Sequence, residues 1–94
     1  MKTIWKFTIK HLDAEIVLRM SNGAEILTVQ VQHNQICIWA IVDPSAPLVQ
    51  RYFYITGTGH PLRENITKYK YIGTFQLNNG ALVLHLFEDK NYAY

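Results

Sequence analysis

Apolar and polar residues alternate with a period of two along almost the whole chain, and turn-forming residues interrupt the alternation at short intervals. That period puts apolar side chains on one face of an extended strand and polar ones on the other. Over residues 4–10, Trp5, Phe7 and Ile9 alternate with Lys6, Thr8 and Lys10. Over residues 14–20, Ile16, Leu18 and Met20 oppose Glu15, Val17 and Arg19, a second strand with a helix as the alternative, and Ser21-Asn22-Gly23 then supplies a reversal. Leu27, Val29 and Val31 alternate with Thr28, Gln30 and Gln32, and a short hairpin at His33-Asn34 leads into residues 35–42. That segment is apolar on both faces, with Ile36, Ile38, Ala40 and Val42 on one and Cys37, Trp39 and Ile41 on the other. It is the expected central strand, covered on both sides, with Cys37 and Trp39 as core residues.

Asp43-Pro44-Ser45-Ala46-Pro47 ends the central strand, because proline lacks a backbone donor and restricts the residue before it. Residues 49–56 resume the strand pattern, with Tyr52, Tyr54 and Thr56 opposite Phe53 and Ile55. Residues 57–68 have no strand period and form the longest connection, with room for a short helical turn after Pro61. Over residues 69–77, Tyr71, Gly73, Phe75 and Leu77 are expected on one side and Ile72, Thr74 and Gln76 on the other, with Gly73 marking a bulge. Asn78-Asn79-Gly80 is a strong hairpin signal and leads into the last alternating run, residues 81–88. The expected fold is therefore mostly β: a single-domain antiparallel sandwich or small barrel of about six to seven strands, with room for one short helix. Residues 1–88 form that domain, and residues 89–94 read as a flexible C-terminal tail.

A chain of 94 residues holds one domain, and 49% hydrophobic with 17% charged residues is the composition of a folded one. A net charge of +2 without a basic run makes duplex DNA a poor partner. The lone Cys37 excludes a disulfide scaffold, and lysines recur through the first residues where a signal peptide would be apolar. No segment has the run of apolar residues that a membrane helix needs. A soluble protein, without membrane attachment and staying in the cytoplasm where it is made, is the expectation.

Among candidate chemical residues, Gly57-Thr58-Gly59-His60-Pro61 stands apart. Two glycines around a threonine free the backbone to present N–H groups to an anion, and His60 adds a donor or a proton-transfer group. The bland reading is a glycine-rich connection, since the lysine of a phosphate loop and the spacing of a dinucleotide fingerprint are both missing. Tyr52 and Tyr54, with Arg63 nearby in sequence, could stack a ring and hold its phosphate, although tyrosine also suits a half-buried sheet face. The candidate ligand-binding set is Gly57, Thr58, Gly59, His60, Arg63, Tyr52 and Tyr54. His11, His33, His60 and His85 are far apart along the chain, so no metal site is expected. Cys37 between Ile36 and Ile38 is a poor nucleophile, and the carboxylates are scattered, so no catalytic set and no cofactor are expected.

Val29-Gln30-Val31-Gln32, Cys37-Ile38-Trp39-Ala40-Ile41-Val42-Asp43-Pro44, Gly57-Thr58-Gly59-His60-Pro61, Tyr71-Ile72-Gly73-Thr74-Phe75-Gln76-Leu77 and Gly80-Ala81-Leu82-Val83-Leu84-His85-Leu86-Phe87 together resemble a family of small uncharacterised phage and prophage proteins. The likeness covers most of the chain. It implies a phage accessory protein, non-enzymatic, that binds and inhibits or sequesters a component of host defence: a host defence protein or an anionic nucleotide messenger. A small hydrolase using His60, or a virion or assembly component, are the other classes the sequence leaves open. A domain so small and so rich in aromatic residues is also expected to share surface with further copies of itself, as a homo-oligomer.

Overall fold

The alternating segments become seven strands: β1 Thr3–Ile9, β2 Glu15–Ser21, β3 Glu25–Gln32, β4 Gln35–Val42, β5 Leu48–Gly57, β6 Tyr69–Leu77 and β7 Leu82–Asp89. The computed structural model describes residues 1–13 and 15–90. All strand pairs are antiparallel, in a three-stranded sheet of order β1-β4-β3 and a four-stranded sheet of order β2-β5-β7-β6. The two sheets pack as a sandwich, with β3 lying against β6. The inner residues of every strand close the core, among them Ile16 and Met20 of β2, Val29 of β3, Ile36, Ile38 and Ala40 of β4, Phe53 and Ile55 of β5, and Leu84 and Leu86 of β7.

Turn chemistry fixes the two hairpins. His33 and Asn34 both have positive φ, at 52° and 58°, which gives a two-residue reversal whose twist matches the strands it joins. Asn78, Asn79 and Gly80 all take positive φ between β6 and β7, and their short 3₁₀ turn is the second such element after Ile66–Lys68. The helical turn in the long connection thus begins later than Pro61 suggested. Asn34 Oδ1 accepts from Asn78 N–H at 3.2 Å, tying one hairpin turn to the other.

Two register shifts redirect side chains that strict alternation would place elsewhere. Between Ile26 and Thr28 the pairing of β3 with β4 slips. Ile26 therefore packs on the core and Leu27, expected inside, is 46% exposed. Between Tyr71 and Gly73 the pairing of β6 with β7 slips as well, which puts the extra residue, Ile72, beside the glycine expected at a bulge. Tyr71 moves to the solvent side with Thr74, and Ile72 packs against the core. At Gly73 a Cβ would stand 2.9 Å from Val29 Cγ1, so the close approach of β6 to β3 depends on the missing side chain.

β4 is the central strand of its sheet, as its composition implied. Its second face is not roofed by another layer, however, and Trp39 is half-buried there beside Lys6 and Thr28 rather than in the core. Cys37 lies on that same face yet is buried, with Thr8 Oγ1 at 3.9 Å and the Gln35 carbonyl at 3.7 Å from its sulfur. Among the core-facing positions of the other sheet are two charges, Arg51 on β5 and Glu88 on β7. Arg51 grips Glu88 through both carboxylate oxygens, Nη2 to Oε1 at 2.9 Å, and its Nη1 donates to the Ala24 carbonyl at the entrance to β3 at 2.8 Å. The ion pair thus ties β5 to β7 within one sheet, and the bond to the Ala24 carbonyl reaches from it to the start of β3 in the other.

Asp89 belongs to β7, where it pairs with Tyr69, and the Lys90 N–H donates to the Lys68 carbonyl at 2.9 Å. Of the expected tail, residues 89–94, Asp89 is thus part of a strand, and 91–94 lie outside the described residues. Among the described residues no helix is long and apolar enough to cross a membrane.

Candidate functional site

The outward face of the four-stranded sheet gathers most of the residues singled out by sequence. Tyr52 and Tyr54 of β5 point there, opposite Val17 and Glu15 of β2, and on β7 so do His85 and Phe87, opposite Thr56 and Tyr54. Thr74 and Tyr71 of β6 complete it opposite His85 and Phe87. Their rings form a continuous aromatic run: Tyr54 lies 5.6 Å from Tyr69 and 6.1 Å from Phe87, and Tyr71 meets Phe87 edge-on at 5.5 Å. Offset and edge-to-face contacts of this kind hold aromatic groups rigidly on a sheet.

Arg63 straps the long connection onto this face. Its guanidinium carbon sits 4.1 Å above the Tyr54 ring and 5.7 Å from that of Tyr69. Nη1 donates to the Tyr69 hydroxyl at 2.8 Å and Nη2 to Glu15 Oε2 at 3.1 Å. Burial opposes the charge, but the hydrogen bonds to Tyr69 and Glu15 outweigh it and raise the guanidinium pKa above its ordinary value. Of the expected ligand set, Arg63 and Tyr54 are therefore engaged with each other, and Tyr54 is buried. Tyr52 lies on the far side of Tyr54 from the Gly57–His60 turn, its hydroxyl donating to Gln50 Oε1 at 2.8 Å.

Gly57, Thr58, Gly59 and His60 form a tight turn at the end of β5, closed by the His60 N–H donating to the Gly57 carbonyl at 3.2 Å, with Gly59 at a φ of +83°. The Thr58 N–H donates to the Val83 carbonyl at 3.4 Å. Two of the turn's backbone donors are thus used internally, which shifts interest to its side chains. The His60 ring lies flat against Gly57, where a Cβ would meet it at 3.0 Å. It lines shallow grooves on both sides of the turn. One, of about 350 Å³, is walled by Leu12, Asp13, Tyr54 and Pro61; the other, of about 270 Å³, by Thr58, Leu62, His85 and Phe87. A larger hollow of about 630 Å³ lies between the two hairpin turns, lined mainly by Asn and Gln side chains, and contains no titratable group.

Thr58 and His85 of the second groove belong to an arrangement that sequence inspection did not single out. His85 stands between two threonine hydroxyls, with Nε2 2.7 Å from Thr58 Oγ1 and Nδ1 2.8 Å from Thr74 Oγ1, and the Tyr71 hydroxyl lies 2.5 Å from Thr74 Oγ1. A neutral imidazole has one N–H, so it donates to one threonine and accepts from the other; an imidazolium donates to both. Where the ring donates to Thr58, that hydroxyl keeps its own O–H for a ligand at the groove; where Thr58 donates to the ring, its oxygen can only accept. Among the described residues no group of His, Cys, Asp and Glu is arranged to hold a metal ion.

No curated protein and no solved structure matches this chain. A family profile does, over residues 1–93, and on that match the chain belongs to the family described as domain of unknown function DUF7352.

Proposed function

We propose that the protein is a non-enzymatic binding protein, an accessory of phage or prophage origin that captures an anionic nucleotide of host defence signalling on the outward face of its four-stranded sheet, acting as a homo-oligomer. The observation that carries the reading is His85 held between Thr58 and Thr74 at 2.7 and 2.8 Å in an open groove. Thr58 and His60 line the groove there beside the apolar walls of Leu62 and Phe87, a combination suited to a phosphate joined to a flat ring. In this reading His60 borders the ligand, while Arg63 and Tyr54 hold the connection in place.

A thermal-shift panel of linear and cyclic nucleotides tests this reading on wild type, His60→Ala, His85→Ala and Thr58→Val. A ligand at about 100 times its Kd adds ~2.7 kcal/mol, which for a domain of this size raises Tm by roughly 10–20 °C. The rise should shrink with added salt and vanish in His85→Ala. If no nucleotide moves the wild type, or hits move every variant equally, the nucleotide reading fails and a host protein docking on the aromatic face takes its place. Ester or phosphodiester turnover lost in His60→Ala would instead favour a hydrolase, and recovery of the chain from purified particles a virion component.

A further inference from the structure

Among the described residues the two sheets present four free edges, and three of them are blunted. β3 and β6 each carry a register shift and lie against one another, and β2 places Glu15 and Arg19 on the solvent side. Bulges and charges are the devices by which edge strands avoid pairing with other chains. β1 is different. It pairs residue for residue with β4, from Thr3 opposite Val42 to Ile9 opposite Ile36, without a bulge, a glycine or a proline. Its only charged residue, Lys6, reaches across the outer face to donate to Gln32 Oε1 at 2.8 Å and so turns away from the free edge. Ile4 and Trp5, on opposite faces of this strand, are 57% and 40% exposed. An apolar, regular strand with one side of its backbone unpaired is a template for another strand.

We infer that β1 is a homodimerisation strand, pairing antiparallel with β1 of a second copy about a two-fold axis at Trp5 and joining two three-stranded sheets into one of six. A two-fold axis perpendicular to the sheet keeps core-side residues opposite core-side residues, so it must pass through a residue position. Centred on Lys6, it would oppose two ammonium groups; centred on Ile4 it would set Lys6 against Lys2 of the second copy; and centred on Phe7 it would set each exposed Trp5 against the already buried Ile9. Centred on Trp5, it brings the two exposed indoles together and sets Lys6 opposite Ile4, and Phe7 opposite Thr3, of the second copy. In that register each copy covers the other's exposed Trp5 and lays the aliphatic stem of Lys6 against the other's exposed Ile4, so a second copy of this chain supplies the cover its edge lacks.

This interface deepens the oligomeric part of the proposed function and is remote from the His85 groove, so a mass measurement and a nucleotide panel fail independently. Light scattering at tens of micromolar should give twice the 10.9 kDa chain mass for the wild type. Ile4→Lys and Trp5→Lys should each give the single mass with unchanged far-UV circular dichroism. Ile4→Lys alone decides if Trp5→Lys misfolds, because Ile4 lies on the solvent side. In a Cys37→Ser background, Trp5→Cys should form an intermolecular disulfide under mild oxidation and Lys6→Cys should not. A monomeric wild type, a dimeric Ile4→Lys, or cross-linking at position 6 rather than 5 would each overturn the assignment.

Discussion

Removing one partner of the Arg51–Glu88 pair should cost far more than removing both. The two side chains are 8% and 7% exposed, and the guanidinium binds both carboxylate oxygens as well as the Ala24 carbonyl. Glu88→Ala removes the carboxylate that binds the buried guanidinium at two points, at a cost of about 3–5 kcal/mol. Domains of this length have total stabilities of roughly 5–14 kcal/mol, so the single variant should lose about 12–40 °C in Tm. Arg51→Met with Glu88→Leu refills the space with apolar volume, and for buried pairs that exchange is often neutral or stabilising by ~1–4 kcal/mol. Here the Ala24 carbonyl loses its donor, a penalty of about 1–3 kcal/mol, so the double variant should fall within ~2 kcal/mol of the wild type. Urea unfolding followed by circular dichroism on the two singles and the double gives the cycle directly. Single variants costing less than ~1 kcal/mol, or a double costing the sum of the singles, would refute the claim that burial sets the energetics of this pair.

Gly73→Ala should destabilise by about 1–3 kcal/mol, since its new methyl would overlap Val29 Cγ1, and pairing it with Val29→Ala should recover part of the loss in the same urea assay. Ser21 Oγ is buried without a hydrogen-bond partner among the described residues, so Ser21→Ala should be neutral or more stable by about 1 kcal/mol in a melting experiment. The Ser45 hydroxyl and then the Ser45 N–H, both on Asp43 Oδ1, hold the Asp43 carboxyl below its ordinary value of 3.8. Its stabilising contribution is therefore complete above that value and is lost as pH falls through the lower folded one; Ser45→Ala should move the NMR-titrated Asp43 pKa upward.

Strand positions were legible because alternation, turn residues and prolines all agree on them; β6 begins and ends where its pattern does, at Tyr69 and Leu77. Faces were legible only where the register runs unbroken. Leu27 and Tyr71 went to the wrong side because each lies at a slip in pairing, and a slip of one residue exchanges the two faces of a strand. Trp39 misled for a different reason. An apolar strand face suggests a covering layer, but this one is shielded by its own neighbours, Lys6 and Thr28, rather than by another sheet. The His85 arrangement was partly within reach, because a hairpin closed at Asn78–Gly80 with Leu77 opposite Leu82 necessarily sets Thr74 opposite His85. Thr58 was not, since nothing local indicates that β7 inserts between β5 and β6 and carries His85 to the foot of the turn.

That insertion also explains how one long connection can both hold a groove open and present groups within it. The chain leaves β5, must pass over the neighbouring strand β7, and reaches β6 at the sheet's edge, so residues 58–68 run over the outward face. Unanchored, such a connection would sample many conformations, and any ligand would first have to order it. Arg63 removes that cost by binding Glu15 on β2, Tyr54 on β5 and Tyr69 at the start of β6, anchoring the connection to three strands of one sheet. With the far half fixed, the near half can close into the tight Gly57–His60 turn, and Thr58 comes to rest against His85. The arginine in this connection is thus better understood as its anchor than as a ligand contact. Arg63→Ala should accordingly speed amide hydrogen exchange across residues 58–68 while leaving that of β7 unchanged, and any nucleotide bound at His85 should weaken with the loss of order. Equal exchange protection in the two proteins would show that the turn stands without its strap.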